Sequence, residues 1–278
     1  MAQSLRGLAV DAGLDRNRVL RAGYRASASA LYFARGYRYG RELKAPAASP
    51  LRTAPKAPGE LEKYCEAHSE GPGMLKWQHY FDIYERHLER FRGQAVNVVE
   101  IGVFGGGSLE MWRHYLGEDT HVYGVDINPA TRRHQGPGVD IFIGDQGDPA
   151  FWARFLERVR CIDIVIDDGG HLPDQQAVTL EALLPHLQPC GVYICEDIHG
   201  AFQPFNSMVD GLSRPLNDLM ITDPTSPRIA AVGLHSHIGS IHHYPMLTVI
   251  EKPASRVDDF TLLRCGTEWP QEAHAQVR

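Results

Sequence analysis

The stretch VVEIGVFGGGS, residues 98–108, starts as an apolar run and breaks into a glycine-rich turn, after which a helical period runs on to about residue 116. Strand, turn and helix in that order form the repeating unit of a parallel sheet, whose strands are joined by crossover helices. The unit recurs down the chain. Apolar β-type runs stand at VNVVEIG (96–102), HVYGVD (121–126), VDIFIGD (139–145), IDIVIDD (162–168) and GVYICED (191–197). Helical periods fall between them near 108–116, 148–160 and 173–187, with a further one near 206–220. SIHHYPMLTVIEK (240–252) reads as two strands around Pro245, which would add an antiparallel edge. The expected fold is α/β: a mostly parallel, doubly wound sheet with an antiparallel C-terminal edge hairpin. An earlier helical period covers MLKWQHYFDIYERHLERF (74–91).

Doubly wound sheets bind ligands outside the carboxyl ends of their strands. In the first turn, glycines let a ligand approach the backbone, and the helix N-terminus offers N–H groups to an anion. The dinucleotide pattern G-x-G-x-x-G fails because Phe104 stands at its second glycine. Asp126 ends the second strand, where such folds bind a ribose diol. Asp145 ends the third, suited to an adenine amino group or to capping the next helix. A nucleoside bearing a carboxylate instead of a pyrophosphate fits these features, and S-adenosylmethionine is such a molecule.

VIDDGGH (165–171) places two carboxylates and a histidine behind an apolar run. A plain turn would use the same Asp and Gly residues. However, Asp167 and Asp168 close the fourth strand while Glu196 and Asp197 close the fifth. On adjacent strands, ~4.8 Å apart, these acids would crowd one another, and a bound cation resolves the repulsion. Oxygen ligands select Mg2+, Ca2+ or Mn2+. His171, three residues past Asp168, is then a base beside the metal.

Composition bounds the class. With 43% apolar and 22% charged residues, the 278-residue chain is an ordinary globular protein without an apolar run of membrane-spanning length or a signal-peptide pattern, so a cytoplasmic location is expected. Five cysteines with no CxxC pair indicate neither a disulfide framework nor a structural zinc site. Residues 1–57 hold 11 Arg or Lys against 3 Asp or Glu, a balance of +8, so the net charge of -6 leaves -14 on residues 58–278. That contrast predicts a basic N-terminal arm with a Pro-rich linker (43–60), followed by one main domain from residue 58. Within the arm, Arg18, Arg21 and Arg25 share one stripe of a helical period over 16–41, with Leu20, Tyr24 and Leu31 on another. A solvated arm or an oligomer contact is the favoured reading over a lipid-surface helix. An acidic body argues against a nucleic-acid enzyme.

QHYFDIYERHLERF, VEIGVFGGGSLEMW, YGVDINP, FIGDQ, DIVIDDGGH, CGVYICEDIH and SIHHYPMLTVIEK together resemble the metal-dependent class I methyltransferases, in particular the macrolide and sugar O-methyltransferases of mycinamicin and tylosin type, with cephalosporin-hydroxylase-like relatives. The resemblance covers roughly residues 64–252 and implies a Rossmann-like methyltransferase fold and an oligomer. Carried over position by position, it makes Asp168, Glu196 and Asp197 metal ligands and His171 the catalytic base. It makes Gly102, Asp126 and Asp145 contacts of S-adenosylmethionine, with Glu100, Ser108 and Asp167 beside them. Gly170 stands where many relatives have Ser, and Cys190 where Gly is usual. His199, His242 and Tyr244 divide between packing and substrate contact. The expected function is S-adenosylmethionine- and Mg2+-dependent methylation of a hydroxyl on a sugar or glycosylated natural product, a small-molecule acceptor. The alternatives are a non-catalytic partner subunit that binds the cofactor and, less favoured, an NAD-dependent oxidoreductase.

Overall fold

The computed structural model describes residues 16–44, 57–200, 203–217, 219, 226–263 and 265–267; for 16–28 it describes the backbone alone. The chain divides into two compact units, Met1–Ala57 and Pro58–Arg278. The first contains helix α1 (Arg16–Glu42), and its side chains from residue 30 onward are exposed. The stripes of Arg18, Arg21 and Arg25 and of Leu20 and Tyr24 lie outside the described side chains, and most of the linker lies outside the described residues.

In the second unit, two helices, α2 (Glu60–Ala67) and α3 (Gln78–Leu88), precede the sheet. Then follow β1 (Asn97–Ile101), α4 (Gly107–Leu116), β2 (His121–Asp126), β3 (Val139–Ile143), α5 (Pro149–Arg158), β4 (Ile162–Asp167), α6 (Pro173–Leu183), β5 (Leu187–Cys195) and α7 (Pro204–Leu216). The short β6 (Arg228–Ala230) pairs with β9 (Asp259–Thr261) in a separate sheet, and β7 (Ser240–Tyr244) with β8 (Leu247–Glu251) forms the hairpin expected around Pro245. The main sheet runs β3-β2-β1-β4-β5-β8-β7, with β8 antiparallel to β5. The order reverses between β1 and β4, which are parallel neighbours, so the switch point of the doubly wound sheet opens beyond Ile101 and Asp167.

Side-chain alternation along each strand feeds two cores. Val98, Ile164, Ile166, Val192 and Ile194 pack on one face beneath α2, α3 and α4 with the fully buried Trp112, Tyr80 and Tyr84. Val99, Ile101, Val165, Tyr193 and Cys195 pack on the other beneath α5, α6 and α7 with Trp152, Phe155 and Phe205. Burying each such side chain contributes roughly 1.5–3 kcal/mol. The first helical period departs from expectation at its start: α3 begins at Gln78, and Trp77 at its N-cap is extended (φ -68°, ψ 131°). Residues 73–77 therefore run as open chain across the sheet end, with Gly73 accepting from Gly107 N at 3.1 Å.

Candidate active site

A cavity of about 670 Å³ opens at the carboxyl ends of β1 to β5. Gly102, Asp126, Asp145, Asp168, His171 and Asp197 all line it, one or more from every strand end. Gly102 adopts φ +89°, and a Cβ there would collide with the backbone oxygen of Asp168; only glycine lets β1 and β4 end this close. Gly105 and Gly107 also serve the packing of the chain. A Cβ on either would strike the backbone of Pro72 or Gly73, so those glycines admit the crossing chain, and Gly105 lines the cavity as well.

Asp126 accepts from Phe104 N at 2.9 Å and from Asn128 N at 2.8 Å, which fixes its carboxylate at the rim of the cavity. Asp145 accepts from Gly147 N at 2.8 Å, stabilising a turn. The cap of α5 is Asp148, which accepts from Ala150 N at 2.8 Å, so the capping alternative for Asp145 falls away.

Three of the expected cofactor contacts turn inward. Glu100 sits on the same face of β1 as Val98, fully buried, and accepts from Trp112 Nε1 at 3.1 Å; burial pushes its carboxyl up to about 7. Ser108 is buried in the first turn of α4 and does not line the cavity. Asp167 accepts from Tyr193 Oη at 2.8 Å and from Gln146 Nε2 at 3.0 Å, and burial likewise raises it to about 7. Its role is one of support, since Gln146 Oε1 in turn accepts from Gly170 N at 2.7 Å and so holds the loop that carries His171.

Beyond β4 and β5 the acids divide. His171 Nε2 lies 3.9 Å from Asp168 Oδ1 and 3.8 Å from Asp197 Oδ2. His171 and Asp197 both have left-handed backbones, at φ 55° and 52°. Asp197 is pinned by Tyr80, whose hydroxyl donates to Oδ1 at 2.8 Å, and by Trp77 Nε1 at 3.0 Å. The donor atoms of Asp168, His171 and Asp197 lie within 4.8 Å of one another, and the two carboxylates offer the oxygen donors that a hard divalent ion takes, with the imidazole beside them. Glu196 departs from this group. Its carboxylate is buried and both oxygens accept from Lys76 Nζ, at 3.1 and 3.0 Å. Lys76 also donates to Asp168 Oδ2 at 2.7 Å. Burial alone would lower its pKa, but Glu196 and Asp168 raise it above the ordinary lysine value and keep the ammonium charged, while burial pushes the Glu196 carboxyl up. Lys76, Trp77 and Tyr80 are the site residues that the sequence pattern concealed. His242 and Tyr244 pack with His87 away from the cavity, where His87 Nε2 and Tyr244 Oη are 2.9 Å apart. His199 does not line the cavity.

Residues 99–198, which contain all of these strand ends, match a family model described as a methyltransferase domain. The chain is 35% identical over 208 residues to 8-demethyl-8-alpha-L-rhamnosyl tetracenomycin-C 2'-O-methyltransferase of Streptomyces olivaceus, over 66% of this chain and 53% of that protein. It is 32% identical over 199 residues to mycinamicin VI 2''-O-methyltransferase of Micromonospora griseorubida, over 65% of this chain and 49% of that protein. It is also similar to a solved structure of MycE methyltransferase from the mycinamycin biosynthetic pathway in complex with Mg and SAH, with a TM-score of 0.59 at 28% identity, over 71% of this chain and 55% of that one. The chain spans about half the length of the curated relatives it matches. Strand order, cleft and sequence thus agree: the chain has the class I methyltransferase fold, residues 99–198 match a methyltransferase domain, and the relatives named are sugar and macrolide O-methyltransferases.

Proposed function

We propose that this protein transfers a methyl group from S-adenosylmethionine to a hydroxyl of a sugar on a glycosylated natural product, with the help of a divalent metal ion. The observation that carries this reading is the place of His171, flanked by Asp168 and Asp197 on the wall of the same cavity that presents Asp126 and Asp145. The relatives named above are O-methyltransferases of rhamnosyl and macrolide compounds, and MycE has been solved with Mg, SAH and mycinamycin VI.

In this reading Asp126 faces the ribose of the methyl donor and Asp145 its adenine, with Gly102 giving the donor access to the end of β1. Asp168 and Asp197 hold the metal. When bound, a divalent ion supplies Lewis acidity toward the acceptor hydroxyl. His171 Nε2 takes the hydroxyl proton, and the neighbouring carboxylates stabilise the imidazolium that results. Methyl transfer is then an in-line displacement whose rate depends on holding acceptor and donor in contact. Exposed Leu75, Trp77 and Leu172, close in sequence to Lys76 and His171, offer an apolar surface to an aglycone. Among the described residues no helix is long and apolar enough to cross a membrane. A cytosolic homo-oligomer completes the proposal.

The test is incubation of the chain with S-adenosylmethionine, Mg2+ and a panel of rhamnosylated and macrolide acceptors, read by mass spectrometry. A gain of one methyl on the sugar supports the assignment; calorimetric binding of NAD but not of S-adenosylhomocysteine would overturn it.

A further inference from the structure

The acids beyond β4 and β5 already hold a cation. Lys76 reaches them from the open chain before α3, and its side chain is 2% exposed. The ammonium stands between Asp168 Oδ2, at 2.7 Å, and Glu196 Oε2, at 3.0 Å. The rings of Tyr84 and Trp112 lie 5.9 and 6.0 Å away, which leaves it shielded from water. Its place is fixed from both sides. Gly73 is bonded to Gly107 at 3.1 Å, and Trp77 Nε1 donates to Asp197 Oδ1 at 3.0 Å.

The two oxygens of Asp168 consequently face different partners: Oδ2 the ammonium, Oδ1 the imidazole of His171 at 3.9 Å. The ammonium thus brings a positive charge to 2.7 Å from one acid of the cluster and 3.0 Å from another. Without that positive charge the attraction of the acids for a dication would rise.

We propose that Lys76 is a positioning residue of the divalent centre: it holds Glu196 and one oxygen of Asp168, and weakens the ion's hold so that it can exchange. This inference rests on the metal-dependent reading above, and the experiment separates the two.

Mn2+ binding to the full chain is titrated calorimetrically in the absence of methyl donor and acceptor, beside thermal unfolding in EDTA. Wild type is expected to bind one Mn2+ per chain. Lys76→Met is expected to bind it at least about tenfold more tightly, to melt earlier than wild type in EDTA, and to regain the loss when Mn2+ is added. Lys76→Arg, which keeps the charge, is expected to bind Mn2+ as wild type does. A residue that merely supported the fold would not raise affinity when removed. Unchanged or weaker Mn2+ binding by Lys76→Met would overturn the inference while leaving the metal reading intact, and binding by neither chain would overturn both. Should Lys76→Met fail to fold, Lys76→Gln carries the same titration.

Discussion

The Tyr80 hydroxyl donates to Asp197 Oδ1 at 2.8 Å, and so ties helix α3 to the end of β5 across 117 residues of sequence. The same oxygen lies 3.0 Å from Met246 O and accepts from Asp197 N at 3.2 Å. One phenol therefore fixes a left-handed carboxylate and the hairpin that flanks it. Because the ring itself is buried in the core, Tyr80→Phe is expected to fold. A hydrogen bond to a charged group is worth roughly 1.5–3 kcal/mol. The expected result is about a ten- to hundredfold rise in the Mg2+ concentration for half-maximal methyl transfer, measured by titrating Mg2+ at saturating donor.

His171→Ala removes the only imidazole that lines the cavity among the described residues. General bases contribute about 10²–10⁴ in rate. Turnover is expected to fall by that factor while S-adenosylhomocysteine binding, followed by calorimetry, stays near wild type. Unimpaired turnover would remove the base assignment.

Chelation separates metal chemistry from the fold. Excess EDTA is expected to abolish methyl transfer, and Mg2+ or Mn2+ to restore it. The internal Lys76 pairs keep the acid cluster partly neutralised, so the circular dichroism of the chelated protein is expected to match that of the untreated one.

Gly102→Ala would drive a methyl group into the Asp168 backbone at a position whose φ is +89°. Such left-handed strain costs about 1–3 kcal/mol before any displacement. A clear drop in melting temperature is expected, together with an activity loss larger than the destabilisation explains, because Asp168 must shift. A variant with native stability and activity would show that β1 and β4 need not end so close.

Acid stability should depend on Glu251. Burial would raise its pKa, but hydrogen bonds from His87 and Arg90 and their charges hold it down, at about 2. A carboxylate lowered in the fold stabilises above its unfolded value, here 4.5, and loses that contribution as pH falls toward 2. The melting temperature is expected to fall between about pH 4.5 and pH 2, and Glu251→Gln to flatten that part of the curve.

Much of this was legible in the sequence because strands and their ends announce themselves locally. Five apolar runs ended in Gly or Asp, and Gly102, Asp126, Asp145, Asp168, His171 and Asp197 do meet in one cavity. What misled was adjacency. Asp167 and Asp168 are neighbours in sequence, as are Glu196 and Asp197, yet successive side chains at a strand end point to opposite sides. One of each pair lines the cavity and the other is buried behind it, Asp167 on Tyr193 and Glu196 on Lys76. Glu100 follows the same rule, sharing the face of Val98 beneath Trp112. Lys76 left no local trace. It fell within a helical period running from 74, and its partners are 92 and 120 residues away. The Gly71-Pro72-Gly73 punctuation was the available hint that the chain before Gln78 stays open.

Phe104, His171 and Asp197 all stand at positive φ around one cleft, where glycine would rest more easily. A screen of variants by melting temperature alone would therefore favour His171→Gly and Asp197→Gly, relaxing the chain while discarding the proposed base and a proposed metal ligand. In this domain the hardiest protein and the working enzyme are different sequences.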